Sequence, residues 1–279
     1  MKKINYFIAL IPVALPITLA ANAADNVIVQ QRAALAQNTE NKGFGPQSPR
    51  DIDSKQGTNA IVFAAAPAYS AMNLCNIHFH KNAEHSGGQF TQYAGNGDGH
   101  GYQSGYLYSG QLTQQQLTPV SQKVCPSKHD SLQSGDTIEV HYVHSSAQVK
   151  PGETLGACLS ESIKNPQLRV ETQVYVLVND TKALNFNKLT SVGQKNGKYQ
   201  AINLQNNNDK TVVYSGSTTG PSYNETGSPF QVTWSVSPDV TKVNIDTVAK
   251  WCEGNEFKED HGHGARNLVT NLELLSPIQ

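Results

Sequence analysis

The chain has 279 residues, of which 38% are hydrophobic, and a formal charge of −1. That apolar share excludes a chain disordered throughout and allows one large domain or two small ones. The near-neutral balance leaves no electrostatic footprint for nucleic acid.

Residues 1–23, MKKINYFIALIPVALPITLAANA, place Lys2 and Lys3 before an apolar run and end in small residues. This pattern predicts a secretory signal cleaved after Ala23. Pro12 and Pro16 interrupt a short apolar core, which argues against a signal anchor. Cleavage removes two lysines and no acid, so the charge goes from −1 to −3. No later segment has the length of an apolar span, and an exported protein, periplasmic or secreted, is expected. Residues 24–42 are polar and read as a loosely held N-terminal arm.

From Gly43 onward the texture is that of a β protein. GFGPQSPRDID is rich in turn formers, and IVFAAAPAYSAMNLCNIHFH suggests strands broken by Pro67. Residues 86–116 are dense in Gly, Gln and Tyr and read as a long surface excursion pinned by its tyrosines. TIEVHYVH, RVETQVYVLV, KTVVYSG and PFQVTWSV show the β-branched and aromatic enrichment of strands, with Phe230, Val232, Trp234 and Val236 on one face of the last. Helical signals are few. TKVNIDTVAKWCE is the best candidate, with Val243, Val248 and Trp251 as core contacts, and LSESIK suggests a short turn. The fold class expected is mainly β (α+β), a single domain around a large, mostly antiparallel sheet with few short helices.

The four cysteines, Cys75, Cys125, Cys158 and Cys252, suggest two disulfides in an exported protein, with three connectivities open. A four-cysteine zinc site is disfavoured because no CxxC pair exists.

The chemistry concentrates in two strands. In NIHFHKNAEH, side-chain alternation sends His78 and His80 to one face and Ile77 and Phe79 to the other. In TIEVHYVH it puts Glu139 and His141 together, with Val140, Tyr142 and His144 opposite. An isolated HxH is as readily a surface pair. If the strands are neighbours, however, three imidazoles can hold one zinc ion at about 2.0–2.1 Å and leave a fourth position open, the mark of a catalytic site. Glu139 then suits the carboxylate that accepts the other ring N–H of His141. His144 faces away and reads as structural. His85 lies beyond the short strand and reads as hydrogen-bonded and structural, although it could ligate. His261 and His263, flanked by glycines, read as a solvated loop.

These motifs resemble those of the carbonic anhydrases. IHFHKNAEH is similar to the FHFHxxSEH of the α-type enzymes and EVHYVHSS to their ELHLVHxN. GPQSPRDID is similar to QSPxDI, YSGSTTGP and VTWSV to YxGSLTTPP and VTWxV, and ARNLVTNLELL to NxRPxQPLNxR. The segments keep the family order across most of residues 43–275. The Gly/Tyr-rich excursion and the four cysteines depart from the α pattern, and the δ-class carbonic anhydrases are the nearest match.

The resemblance implies an α-carbonic-anhydrase-like catalytic domain over residues 43–279 and zinc-dependent, reversible hydration of carbon dioxide to bicarbonate and a proton. It implies His78, His80 and His141 as zinc ligands and Glu139 as the partner of His141. It also implies that Glu84 accepts a hydrogen bond from a threonine hydroxyl, which in turn accepts from zinc-bound hydroxide. Ungapped alignment of GSTTGP makes that threonine Thr219, followed by Pro221; a shift by one makes it Thr218. The family's usual shuttle histidine has no counterpart in residues 54–76, so proton export falls to water, buffer or a histidine such as His100. Where an apolar carbon dioxide wall is expected, the chain has Glu171 or Thr172. Two other functions stay open at this point: an exported zinc-binding or cell-surface interaction protein of this fold without turnover, and a zinc esterase or hydrolase.

Overall fold

The structure is a computed structural model that describes residues 23–205, 210–220 and 223–279. Its framework is a five-stranded sheet in the order β1-β4-β5-β9-β8, formed by Asn73–Lys81 (β1), Thr137–Ser145 (β4), Leu168–Val178 (β5), Val212–Gly216 (β8) and Val232–Asn244 (β9). Three of its four pairings are antiparallel, and β5 with β9 is parallel. The fold is mostly β, in a single domain, as the strand-rich sequence predicts.

Every position of β4 is buried, so both faces of the sheet are covered. On one face Ile77, Phe79, Val140, Tyr142 and Tyr175 pack against the helices Phe186–Leu189 (α2) and Ile245–Cys252 (α3). Phe79, between the two histidines of β1, lies against Trp251 and Phe186 with ring centroids 5.9 and 6.4 Å away. Burying such a ring contributes about 1.5–3 kcal/mol, and here it also fixes the stretch of β1 that aims His78 and His80 the other way. The opposite face carries Val143, Val170, Val174, Trp234 and Val236.

Two disulfides, Cys75–Cys158 and Cys125–Cys252, resolve the connectivity that the sequence leaves open. The first starts at a bulge of β1 between Leu74 and Asn76. The second ties α3 to the segment before β4.

Several elements differ from the sequence reading. Residues 23–39 form a helix (α1, Ala23–Thr39) instead of a loose arm. Ile28 and Leu35 are buried along it, Gln31 donates to Gly99 O at 2.8 Å, and Thr39 is buried as well. Residues 1–22 of the expected signal lie outside the described residues. No strand forms over 61–68: Ala64 N and Ala66 N donate to the side chains of Gln231 and Thr233, and Pro67 has no N–H to offer a ladder. Phe230 precedes β9 and is 45% exposed, so it does not share the buried face of Val232, Trp234 and Val236. Thr241–Asn244 complete β9, and α3 begins only at Ile245, where Asn244 caps Asp246 N. A short helical turn forms at Leu155–Cys158, and LSESIK follows it as a turn in which Ser160 N donates to Ile163 O at 3.1 Å and Ile163 N to Ser160 Oγ at 3.0 Å.

The Gly/Tyr-rich excursion contains a hairpin, Gln92–Asn96 (β2) with Ser104–Leu107 (β3). It is not wholly superficial. At Gly101 (φ +96°) a Cβ would fall 2.6 Å from Ala265 O, and at Gly105 (φ +96°) 2.6 Å from Ala83 O. Only glycine permits this backbone to press against the segments behind His80 and Glu84. A second hairpin joins Val192–Lys195 (β6) to Lys198–Ala201 (β7).

Candidate metal centre

The register of the central strands brings the predicted residues together. His78 lies opposite His141 and His80 opposite Glu139, so all four side chains share a face. The available nitrogens of His78, His80 and His141 lie within 4.8 Å of one another. Each ring spends one nitrogen as a donor: His78 Nδ1 to Asn76 Oδ1 at 2.7 Å, His80 Nδ1 to Gly264 O at 2.9 Å, and His141 Nε2 to Glu139 Oε1 at 2.7 Å. With those protons fixed, His78 Nε2 and His141 Nδ1 face each other as lone pairs only 3.2 Å apart. Two facing lone pairs repel, and a shared cation relieves them. Tetrahedral zinc at its usual bond length puts ligand nitrogens about 3.3 Å apart. The donor set therefore fits a metal ion.

The electrostatics agree. Burial, with the His141, His80 and His263 rings nearby, holds His78 well below the usual histidine range. Burial also takes His80 down to about 4, against an opposing pull from Glu84. Neutral imidazole is the form that binds metal. Burial alone would raise the Glu139 carboxyl, but the electrostatic pull of the neighbouring His85 and the hydrogen bonds of His141 and His85 outweigh it and hold Glu139 well below the carboxylate range.

Glu139 is fully buried and accepts three N–H groups, the third and second being His85 N at 3.0 Å and His85 Nδ1 at 2.7 Å. The sequence reading of His85 as a hydrogen-bonded structural residue agrees with this arrangement. His85 Nε2 lies in hydrogen-bond contact with Tyr214 OH at 2.7 Å, and Tyr214 is bonded onward to Ser48. A buried hydrogen-bonded line thus runs from Ser48 to His141. Tyr214 and Ser48 were not singled out in the sequence, because nothing local ties either to a strand so distant.

Glu84 and Thr219 are both buried, and no hydrogen bond joins them directly. Arg266 connects them instead: its backbone N donates to Glu84 Oε1 at 2.6 Å, and its Nη1 donates to Thr219 Oγ1. The Arg266 guanidinium also lies 5.2 Å over the Tyr223 ring. Thr218 is half-buried and bridges Ser48 through its backbone. Pro221 lies outside the described residues.

His263 is not in a free loop. Its backbone pairs with β1 beside His80, and its ring centroid lies 5.7 Å from that of His78 and 5.8 Å from that of His80. Burial lowers this imidazole, but the hydrogen bond and charge of Glu259, with Glu84 and Asp260 farther off, outweigh it and raise His263 above its ordinary value. His261 remains at the surface against Asp260, and His100 is exposed. His144 is buried on the far face and donates from Nδ1 to Tyr142 O at 2.9 Å, as a structural residue should.

A mostly β framework with three convergent imidazoles, each oriented through its outer nitrogen, defines a candidate metalloenzyme of the carbonic anhydrase type. The family profile for delta carbonic anhydrase matches residues 69–247, well over half of the chain, and the chain belongs to that family. Among solved structures, the chain is similar to an α-carbonic anhydrase from Thermovibrio ammonificans, with 16% identity, 81% of this chain and 84% of that one covered, and a TM-score of 0.30. It is similar to the α-carbonic anhydrase of Photobacterium profundum at 16% identity, 86% and 91% coverage and 0.30. A hyperthermostable carbonic anhydrase from a hydrothermal vent chimney is similar at 18%, 82% and 87%, and 0.30. No curated protein matches. No described helix is long and apolar enough to cross a membrane.

Proposed function

We propose that this protein catalyses the reversible hydration of carbon dioxide to bicarbonate and a proton, with zinc held by His78, His80 and His141. The observation that carries the reading is the convergence of three imidazoles whose outer nitrogens are all engaged. Bound there, zinc lowers the pKa of its water to about 7 and so supplies a nucleophile near neutral pH; the handling of that chemistry falls to the chain.

Glu139 fixes the tautomer of His141, so that Nδ1 is the nitrogen offered to the metal. Its negative charge, sustained by His85, offsets part of the cation's charge in a dry setting. Arg266 accepts the task of registering Glu84 and Thr219 against each other. Because Thr219 Oγ1 accepts from Arg266 Nη1, its own O–H remains to donate. Thr219 is thus the hydroxyl we assign to orienting the nucleophile and substrate, with Thr218 the neighbour that is half outside the site. The two disulfides suit an oxidising compartment, and we place the mature protein, beginning near Ala24, outside the cytoplasm.

Stopped-flow hydration of carbon dioxide by the mature protein, before and after zinc removal and after its return, tests the reading. Zinc-dependent turnover is expected. Zinc bound without turnover would overturn it in favour of a binding protein, and cleavage of esters alone would make it a hydrolase.

A further inference from the structure

Carbon dioxide hydration leaves the second HxH of the chain, His261 and His263 in DHGHGAR, without a task, although the fold carries it to the metal centre. Backbone bonds set its place. His263 N donates to Phe79 O at 2.9 Å and Lys81 N to His263 O at 3.0 Å, so His263 brackets His80 along the outer edge of β1. Any residue would make those two bonds. What the imidazole adds is a ring centroid 5.7 Å from that of His78 and 5.8 Å from that of His80, almost as near as those two lie to each other, at 5.4 Å.

Among the described residues, two further imidazoles flank the three proposed ligands, and they differ in access to solvent. His85 is sealed inside, whereas the His263 side chain is 43% exposed against 11% for His80. His263 therefore joins the solvent to the neighbourhood of His80. Its ring is also prepared as a ligand. Nε2 donates to Glu259 Oε2 at 2.7 Å, no hydrogen bond of the described residues uses Nδ1, and a carboxylate behind the outer nitrogen is the arrangement that orients metal-bound histidines. Glu259 is held in turn, its N donating to Asn255 Oδ1 at 3.1 Å and its O accepting from Asn255 Nδ2 at 2.7 Å. Farther out, the His261 ring lies 5.7 Å from that of His263 and is hydrogen-bonded to Asp260.

Stability gives little reason for this assembly, because an ion pair so open to solvent contributes about 0–1 kcal/mol. Metal entry gives a reason. Taking an ion out of water costs several kcal/mol unless ligands replace the water as it leaves, and the nitrogens that hold the ion here are largely covered. Imidazole and carboxylate are both zinc ligands, so a half-exposed pair of them at the rim can replace the first waters.

Resting on the zinc reading above, we propose that His263, oriented by Glu259, is a transit ligand. It takes the incoming ion from solvent and passes it to His78 and His80, and it does not belong to the resting ligand set.

A transit ligand alters rates and leaves the equilibrium alone, since it holds the ion in neither the free nor the loaded state. Loss must then slow in step with uptake. The test mixes the metal-free mature protein with zinc in the presence of a fluorescent zinc indicator, and times zinc loss from the loaded protein into excess EDTA. Mildly alkaline buffer is used, where the proton that Glu259 helps to keep on His263 competes least. In His263→Ala both rates should fall roughly 10-fold, equivalent to about 1.4 kcal/mol of barrier, with a zinc affinity by chelator competition equal to the parent's. His263→Gln, which can still donate to Glu259 but has no imidazole, should be as slow. Uptake at the parental rate in either variant would overturn the proposal. So would faster loss with weakened affinity, the mark of a resting ligand or a damaged site. Should His263→Ala not fold, His263→Gln decides under the same criteria. Turnover plays no part in the comparison: slowed exchange upholds the transit role even in a parent without hydratase activity, and unslowed exchange rejects it in a fully active one. Loss of zinc binding in His141→Ala ties the measured ion to the three-histidine site; zinc retained there would overturn the ligand set, and the transit role with it.

Discussion

Replacing Glu139 with glutamine keeps the size of the side chain and removes its charge, and the outcome can be worked from three hydrogen bonds. The carboxylate accepts His141 Nε2 and His85 Nδ1 on Oε1, both at 2.7 Å, and His85 N on Oε2 at 3.0 Å. Glutamine has one acceptor oxygen. Turned toward the two imidazoles, it points its NH2 at the His85 N–H. Turned the other way, it confronts both imidazole N–H groups with a donor, and His141 could escape only by moving its proton to Nδ1, the nitrogen needed by the metal. Either orientation leaves a buried donor unmet, which costs about 1–3 kcal/mol. Loss of such a partner typically weakens metal affinity by roughly 10–100-fold, or about 1.4–2.7 kcal/mol. Zinc competition against a chelator of known affinity, paired with thermal unfolding of the metal-free protein, measures both effects. A zinc affinity equal to the parent's, with only the metal-free stability reduced, would refute the role assigned to Glu139.

His141→Ala should abolish zinc retention, and full zinc occupancy by metal analysis would remove His141 from the ligand set. Thr219→Ala should keep zinc and lose most turnover; unchanged turnover by stopped flow would transfer the role to Thr218. Burial takes His144 down to about 3, so the native state stays neutral there while the unfolded chain binds a proton below about 6.5. The stability associated with neutral His144 is thus complete above about pH 6.5 and declines as pH falls toward 3, by up to about 1.4 kcal/mol per pH unit. His144→Asn, which can still donate to Tyr142 O, should flatten that part of the curve in denaturant titrations; an unchanged slope would exonerate His144. Removing the Cys75–Cys158 disulfide, which closes a separation of 83 residues, should cost about 2–5 kcal/mol in denaturant unfolding. An undiminished midpoint would show that the link adds nothing to stability.

What could be read from the sequence was what lies within a strand. Alternation alone assigns His78, His80, Glu139 and His141 to one face and Ile77, Phe79, Val140 and Tyr142 to the other, and the sheet obeys it. The Asn196-Gly197 pair between β6 and β7, both at positive φ, is a local hairpin signal of the same kind. The strand read over PFQVTWSV ends at Val236, yet β9 continues to Asn244, because Pro238 falls in the register shift between Val236 and Val240 where no ladder donor is required. The arm that became α1 has too few apolar positions to announce a buried face. It is anchored partly by Gln31, whose partner, Gly99 O, cannot be inferred from its own neighbourhood. Long-range pairing hid the rest. His263 enters the site through a bridge to His80, and Arg266 reaches both Glu84 and Thr219. No periodicity encodes contacts across such separations.

The carbonyl of Gly264 that steadies His80 stands 184 positions downstream of it. During synthesis, all three imidazoles emerge long before the segment that clasps them. A nascent chain can expose His78, His80 and His141 yet lack the backstop that gives His80 its tautomer and Glu84 its Arg266 donor. For the zinc site proposed above, tight acquisition of the ion is thereby deferred until nearly the whole polypeptide has been made.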